Sequence, residues 1–307
     1  MVGDDEDGGN DELSLINERL TEFPDLTRVT SLPKTVVLRQ NMIVEIPALP
    51  DEIASRIEHL DLYINSIERI SHLDNFTNLR VLDLSFNGVR KIEGLGNLHS
   101  LRDLFLVKNK ITTIAHLDGL DSLVQLELGD NRIRCIENVN CLGKTLTSLW
   151  LGKNKIEAIE NVSELTNLAV LDIQSNRLTS IGDGLATLTN LRELYLGHNA
   201  ITSCDGLGTL INLVTLDISA NRIERLTGIG RLKMLEELWA NQNQLTDIDE
   251  VLSELRQLPQ LQTVYLEWNP LCTTCDYKTI VPLALPNLQQ LDAVPVPRLS
   301  TAAPKPI

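Results

Sequence analysis

Residues 79–87 read Leu-Arg-Val-Leu-Asp-Leu-Ser-Phe-Asn and decide the fold, because their pattern L-x-L-x-x-N returns eleven times along the chain. The asparagines of the eleven copies are Asn41, Asn65, Asn87, Asn109, Asn131, Asn154, Asn176, Asn199, Asn221, Asn243 and Asn269. Consecutive asparagines are 22 to 26 residues apart. A period this steady indicates one supersecondary unit stacked on copies of itself, since a single unit cannot bury its apolar edge alone. The chain is therefore predicted to be a solenoid.

Within each copy, alternate residues of a strand face opposite ways. Leu82 and Leu84 are expected to point into the stack, and Val81, Asp83 and Ser85 to point out. Each repeat then adds one short strand to a parallel sheet along the inner wall of a curved horseshoe. Only about ten residues remain to return to the next strand, which favours loops and 3₁₀ turns on the outer wall. The predicted fold class is an α/β solenoid of the leucine-rich-repeat type, with about eleven 22-residue repeats.

The eleven asparagines have a predicted structural role. The chain turns sharply after each strand, and a buried asparagine can bond backbone groups of its own and the adjacent turn. We refer to these residues as the asparagine ladder.

A repeat array of this kind is predicted to form a single domain over residues 13–295, with residues 13–32 as an N-terminal cap and 33–270 as the repeats. Residues 271–295 form the predicted C-terminal cap, in which a short amphipathic helix from about 276 to 285 hides the last apolar edge. Six of the first twelve residues are acidic, so 1–12 is predicted to be a disordered tail. Residues 296–307 are predicted to be a flexible tail.

Composition and termini favour an intracellular protein. No apolar run approaches the roughly 20 residues needed to span a bilayer, so no membrane association is expected. The first residues lack the basic and apolar segments of a signal peptide. No disulfide-type cysteine cluster flanks the array, and Cys272 and Cys275 form a C-x-x-C without the second pair that a zinc site needs. We interpret these two cysteines as structural.

One outward position of each strand forms a column of five acids and five aromatic residues. Its members are Asp61, Asp83, Phe105, Glu127, Trp150, Asp172, Tyr195, Asp217, Trp239 and Tyr265. The chain has only eleven aromatic residues, so nearly half stand in this column. Aromatic side chains favour strands and pair across sheets, which explains why they are accepted at this position. It does not explain why they alternate with carboxylates. The column predicts a protein-binding surface.

The charge balance limits the classes of partner that the chain is expected to bind. With 42 acidic and 27 basic residues the net charge is −15, which repels phosphate backbones and favours a partner with a basic patch. Nucleic acid is therefore not an expected partner. The residue after a ladder asparagine is often basic, as at Lys110, Arg132, Lys155, Arg177 and Arg222. We interpret this row as a solvated edge that keeps the stack soluble.

The sequence offers no support for catalysis. The five histidines are scattered, none has metal-ligand or triad spacing, and no glycine-rich phosphate loop is present. Carboxylates of neighbouring strands on an open face are expected to keep ordinary acidity. The chain is predicted not to be an enzyme, and no cofactor or metal is expected.

Several repeats together carry a family resemblance. They include Leu82–Asn87, Leu104–Ile111 (LFLVKNKI), Leu151–Ile156 (LGKNKI) and Asn190–Leu196 (NLRELYL), and the set ends with Val264–Glu267 before Asn269-Pro270-Leu271. In this order the repeats closely resemble the leucine-rich-repeat regulatory subunits of protein phosphatase 1, the regulatory subunit 7 family. The resemblance covers about residues 30 to 295.

The resemblance implies a non-enzymatic subunit of nucleus and cytoplasm that binds the phosphatase catalytic subunit through its concave face, often with an inhibitor-3-like protein. The family's contact positions match Asp83, Phe105, Glu127, Trp150, Asp217, Glu237, Trp239 and Tyr265. Glu237 lies two residues before Trp239 and so faces the same side. Asp172 and Tyr195 of the column complete the predicted partner-binding set. Trp150 departs from the family, where phenylalanine is usual, and the segment with Cys272 and Cys275 is also unlike it.

Two other classes share the repeat pattern. A general intracellular adaptor, serving a ciliary, tubulin or splicing complex, would have the same fold and a different partner. A bacterial surface protein of the internalin type also has 22-residue units, but it requires a signal peptide and a wall anchor. The sequence leaves open whether binding inhibits, stabilises or redirects the phosphatase.

Overall fold

The structure is a computed structural model that describes residues 11–29 and 31–297. The chain divides into two compact units, Met1–Asn176 and Arg177–Ile307. Residues 1–10 of the predicted acidic tail and 298–307 of the predicted C-terminal tail lie outside the described residues. Glu12, which the sequence places in the tail, lies in the first strand.

The first unit is a stack of eight parallel strands, each three residues long. They are β1 (Glu12–Ser14), β2 (Thr35–Val37), β3 (His59–Asp61), β4 (Val81–Asp83), β5 (Asp103–Phe105), β6 (Gln125–Glu127), β7 (Ser148–Trp150) and β8 (Val170–Asp172). Each strand pairs in parallel with the next one in the chain, at the same position of the repeat. This arrangement confirms the predicted leucine-rich-repeat solenoid.

The second unit continues the same pattern within itself. Its strands are β9 (Glu193–Tyr195), β10 (Thr215–Asp217), β11 (Glu237–Trp239), β12 (Thr263–Tyr265), β13 (Gln290–Leu291) and β14 (Val294–Pro295). Strands β9 to β13 pair in parallel, and β14 pairs antiparallel to β13. The reversal at β14 ends the repeat pattern in the described part of the chain.

The return segments are mostly loops, as expected, with 3₁₀ turns at Leu26–Arg28, Asn140–Leu142 and Ile229–Arg231. The helices are α1 (Asp51–Ala54), α2 (Ile248–Leu255), α3 (Leu271–Thr274) and α4 (Tyr277–Ala284). Helix α4 confirms the cap helix predicted at about 276 to 285. The sequence did not predict α2, which lies in the return segment between β11 and β12. The Asp247 carboxylate caps it by accepting the Asp249 and Glu250 N–H groups at 2.9 and 3.2 Å.

The core of each unit is built from the apolar positions of the repeat. Leu82 and Leu84 are fully buried in the first unit, as are Ile111 and Ile114 after the ladder asparagine of their repeat. Burial of such side chains contributes about 25 cal/mol per Å² of apolar surface removed from water, so regular leucine and isoleucine columns stabilise the stack.

The ladder asparagines link each repeat to its predecessor. Asn131 is representative: its Nδ2 donates to the carbonyls of Leu106 and Leu128 at 2.8 and 3.0 Å, and its Oδ1 accepts the Ile111 N–H at 3.0 Å. Two of these three partners belong to the preceding repeat. The side chain thus replaces backbone hydrogen bonds that a tight turn cannot make for itself.

A left-handed residue precedes every ladder asparagine, and none of these residues is glycine. A second left-handed position lies further along the return segment, where Gly119 has φ +89°. A Cβ at Gly119 would lie 2.4 Å from the Gly96 carbonyl oxygen, whereas a Cβ at Gly96 meets nothing within 4 Å. Gly96 therefore has space for a Cβ, whereas Gly119 does not.

We expect Gly119→Ala to lower the free energy of unfolding by about 2 to 3 kcal/mol, because it adds a left-handed alanine and a backbone clash. Gly96→Ala is the matched control and is expected to change stability by less than about 1 kcal/mol. Urea unfolding followed by circular dichroism measures both. Equal stability of the two variants would contradict the close approach.

Candidate functional site

From β3 to β12, the last residue of each strand lies on the sheet face that points away from the core, and we call these residues the strand-face column. In the first unit Asp83 is in register with Asp61 and Phe105, Glu127 with Phe105 and Trp150, and Asp172 with Trp150. Neighbouring members are therefore about 4.8 Å apart along the sheet. This unit brings together five predicted site residues: Asp83, Phe105, Glu127, Trp150 and Asp172.

The second unit has an aligned column of its own at the same position of its strands. Tyr195, Asp217, Trp239 and Tyr265 are in register on β9 to β12. Glu237 begins β11 and faces the same side as Trp239. The other five predicted site residues thus lie on one sheet face of this unit.

Exposure differs among the members of the column. Trp239 is 36% exposed and Glu237 is exposed, whereas Phe105 and Trp150 are half-buried. Asp172 and Asp217 are buried, each with 5% of its surface exposed. The outward column is therefore not exposed to solvent at Asp172 and Asp217, although the rings and glutamates remain accessible.

A local hydrogen bond explains why three aspartates of the column fold against the sheet. Asp83, Asp172 and Asp217 each accept, through Oδ1, the backbone N–H two residues later, at 2.7 to 2.8 Å. This turn is favoured by aspartate because its short side chain reaches its own backbone. Gly197, in the repeat before Asp217, leaves space for this carboxylate, because a Cβ there would lie 2.8 Å from the Asp217 Oδ2. These aspartates therefore help to form the turn as well as contributing charge to the face.

Two carboxylates of the first unit have altered acidity. Burial raises the pKa of Glu127, the charge of Asp83 adds to the increase, and the Gln125 amide at 2.7 Å opposes it. Burial also raises the pKa of Asp83, against the bond from the Ser85 N–H. The expectation of ordinary acidity is wrong at these two positions. A cation that approached them would relieve the cost of their partly desolvated charge.

The second unit presents an aromatic pair. The ring centroids of Trp239 and Tyr265 are 5.8 Å apart at 67°, an edge-to-face contact, and the Tyr265 hydroxyl accepts a bond from the Gln290 Nε2 at 2.6 Å. Trp268 is 74% exposed. It has φ +63° directly before Asn269, and sequence reasoning missed it because it lies outside the column. Rings held in this way make good anchors, since little side-chain freedom is lost on binding.

Sequence reasoning also missed a cluster in the first unit. The Arg39 guanidinium pairs with Asp61 and lies 5.5 Å from the Tyr63 ring centroid. The Tyr63 and Phe86 centroids are 5.0 Å apart, and the Lys108 amine lies 5.0 Å from Phe86. The available signal was the position two residues after the strand-face column, where Tyr63 stands.

Within residues 11–29 and 31–297, no group of three or more His, Cys, Asp or Glu side chains is arranged to hold a metal ion. Cys272 and Cys275 are free thiols, and burial raises the pKa of Cys272. In the same ranges, no helix combines the length and the apolar character needed to span a bilayer.

Comparison with known proteins matches the repeats to established families. The family described as "Leucine rich repeat" matches residues 166–223, and "Leucine Rich repeats (2 copies)" matches 55–97 and 144–187. The solved structure of an internalin, InlF of Listeria monocytogenes, superposes with a TM-score of 0.74 at 23% identity, covering 94% of this chain and 88% of that one. That likeness shows the fold alone.

Two curated relatives are similar in sequence over part of the chain. Protein phosphatase 1 regulatory subunit SDS22 of Schizosaccharomyces pombe is 44% identical over 81 residues, which cover 26% of this chain and 24% of the relative. Protein phosphatase 1 regulatory subunit pprA of Dictyostelium discoideum is 40% identical over 76 residues, covering 25% and 22%. The matched region thus spans less than a quarter of either relative.

The stacked strands, the asparagine ladder and the family matches together define this chain as a leucine-rich-repeat protein. Within that class it is similar to the leucine-rich-repeat regulatory subunits of protein phosphatase 1, in agreement with the resemblance in its ordered repeats.

Proposed function

We propose that this chain is a non-catalytic regulatory or scaffold subunit that binds the catalytic subunit of protein phosphatase 1. The observation that carries the proposal is the strand-face column, in which rings and carboxylates alternate at one position of successive repeats. The two relatives, both named as regulatory subunits of protein phosphatase 1, supply the partner. Binding modulates the activity, assembly or localisation of the phosphatase in nucleus and cytoplasm, and the family resemblance implies an inhibitor-3-like protein as a third component.

The chemistry of the column sets what the partner presents. Half-buried Glu127 and Asp83 have raised pKa values, so a basic patch on the partner gains more from them than from solvated acids. Trp239 and Tyr265 offer ring surface to apolar side chains of the partner. The partner surface is therefore basic and apolar, and affinity is expected to fall as salt rises.

The experiment immobilises the chain and measures binding of purified phosphatase catalytic subunit. We expect Trp239→Ala to weaken binding about 30-fold, or about 2 kcal/mol, because an exposed anchor ring is lost. Met234→Ala, which removes another exposed apolar side chain (47% exposed) outside the column, is the matched control and should bind as the wild type does.

A combined Trp150→Ala, Asp217→Asn and Trp239→Ala variant tests the surface more severely. Asp217→Asn keeps an oxygen for the Ser219 N–H and removes only the charge. Undiminished capture by this folded variant would refute the surface. The adaptor alternative is distinguished by affinity capture from cell extract, in which a ciliary, tubulin or splicing complex would replace the phosphatase.

A further inference from the structure

The edge of the first unit at which the strands turn into the ladder asparagines carries a set of cations outside the strand-face column. We call this set the basic strip, and its members are Lys108, Lys110, Arg132, Arg134, Lys153 and Lys155. Lys108 and Lys153 directly precede a ladder asparagine, and Lys110, Arg132 and Lys155 directly follow one. Lys108, Arg132, Arg134 and Lys153 are exposed, and the other two are half-buried.

Backbone hydrogen bonds hold the strip in register. The N–H groups of Lys110, Arg132 and Lys155 donate to the carbonyls of Val89, Ile111 and Ile133, each at 2.8 Å. Every acceptor stands two residues after the preceding ladder asparagine. The backbone positions of these three residues are therefore one strand spacing, about 4.8 Å, apart along the edge.

Most members of the strip form no close ion pair with the rest of the described chain. Lys110 lies 3.9 Å from Glu68. Among the residues that the structure describes, no carboxylate oxygen lies within 4.0 Å of the cationic nitrogens of Arg132, Arg134, Lys153 or Lys155. Six clustered cations are unusual on a chain of net charge −15. The net charge already keeps the chain soluble, so solubility alone does not account for these cations.

Exposed apolar side chains occupy the same edge in the earlier repeats. Met42, Val44 and Ile64 are 46%, 56% and 36% exposed. The Asn41 N–H donates to the Ile64 carbonyl at 3.1 Å, which places Ile64 beside Met42. Phe86, in the next repeat, links this apolar patch to the strip, because the Lys108 amine lies 5.0 Å from its ring.

We infer that this edge docks an extended protein segment with apolar residues at one end and a run of carboxylates at the other. The apolar side chains would contact Met42, Val44 and Ile64, and the carboxylates would pair with the basic strip. The edge from β2 to β7 covers five strand spacings, about 24 Å, which an extended segment of about seven or eight residues spans. The inference concerns a different surface from the strand-face column and does not depend on the phosphatase.

The charges around the strip favour a peptide over other polyanions. The net charge of −15 repels a long nucleic acid or an anionic membrane, whereas a short segment makes only local contacts. The exposed carboxylates of Asp130 and Glu157 interrupt the strip, and Glu45 stands beside Val44. The ring of Phe86 already has the Lys108 amine beside it, so it offers a poor platform for stacked bases.

The test uses a fluorescein-labelled synthetic peptide with three apolar residues followed by five glutamates, and measures binding to the full chain by fluorescence anisotropy at low ionic strength. We expect Arg132→Glu with Lys153→Glu to weaken binding at least ten-fold. The matched control, Arg102→Glu with Lys144→Glu, reverses two exposed cations elsewhere in the same unit and should weaken it less than two-fold. Met42→Ser with Val44→Ser should weaken it at least three-fold.

Any one of the following results would overturn the inference. Absence of binding by the wild type excludes the site, and equal weakening by both charge-reversal pairs means that only net charge matters. Tighter binding of a single-stranded RNA or an anionic phospholipid vesicle than of the peptide means that the partner class is wrong. Phosphatase binding, measured in parallel, is expected to be unchanged in the Arg132→Glu and Lys153→Glu variant, so this inference and the proposed function fail separately.

Discussion

Asn131→Ala is expected to lower the free energy of unfolding by about 3 to 4 kcal/mol, although it removes only a small polar side chain. Asn131 is 7% exposed and holds four backbone groups, namely the carbonyls of Leu106, Leu128 and Gly129 and the N–H of Ile111. Each buried group left without a partner costs about 1 to 3 kcal/mol. Because two of the groups belong to the preceding repeat, the loss also loosens the junction between repeats.

The matched control is Asn97→Ala. Asn97 is exposed and donates one long bond, at 3.5 Å, to the Asp74 carbonyl, so its loss should cost less than about 1 kcal/mol. Urea unfolding gives the stabilities, and hydrogen exchange should show faster exchange of the Ile111 amide in Asn131→Ala alone. Similar stability of the two variants would remove the ladder as a source of cohesion.

At the C-terminal cap, Asp292→Ala is expected to destabilise the second unit by about 3 kcal/mol or more. The Asp292 Oδ1 accepts the N–H groups of Leu266 and Glu267 at 2.7 and 2.9 Å, and its Oδ2 accepts the Tyr277 hydroxyl at 2.8 Å. The carboxylate is 4% exposed, so alanine leaves the Glu267 N–H and two buried donors, the Leu266 N–H and the Tyr277 hydroxyl, without an acceptor.

Tyr277→Phe is the companion variant. It removes one donor and is expected to cost about 1.5 to 3 kcal/mol, the usual range for a bond to a charged group. Burial and the Asp292 charge raise the pKa of Tyr277, so the phenol stays protonated and continues to donate at neutral pH. The double variant should lose less than the sum of the two single losses, because both partners are then gone. Strict additivity in urea unfolding would show that the Tyr277–Asp292 contact is not formed.

Periodicity predicted the parts of the fold that repeat. The asparagine spacing gives the register of the strands, and alternation gives the burial of Leu82 and Leu84. The cap helix was predicted at 276 to 285 and is observed at Tyr277–Ala284. These features depend on patterns that recur, so a single sequence contains many copies of the same signal.

Features that occur once were missed. Helix α2 had usable signals, since Asp247 is a good N-cap, Asp249 and Glu250 favour its first turn, and the spacing to Asn269 is 26 residues. The role of Asp292 had none, because its bonds to Leu266 and Glu267 join residues 25 to 26 positions apart. Such contacts follow from the packing of the cap.

For the site, the sequence predicted which side chains share a strand face but not how far each is exposed. Alternation places Asp217 outside the core, yet its bond to the Ser219 N–H and the room left by Gly197 fold the carboxylate against the sheet. Trp239 has no such backbone bond available to its side chain and stays partly exposed. The accessible part of the column is thus decided by local hydrogen bonds, which periodicity does not report.

The ladder has a consequence for how such a chain can lengthen. After the first, Asn41, each ladder oxygen accepts the N–H that stands two residues after the preceding ladder asparagine, as Asn109 does for Val89 and Asn131 for Ile111. A tandem duplication of residues 88–109 would therefore keep every such bond in phase, with one additional rung and one additional strand. Genes for such chains can grow or shrink by whole modules without redesign of the junctions, whereas an insertion of a few codons beside an asparagine would break two rungs at once.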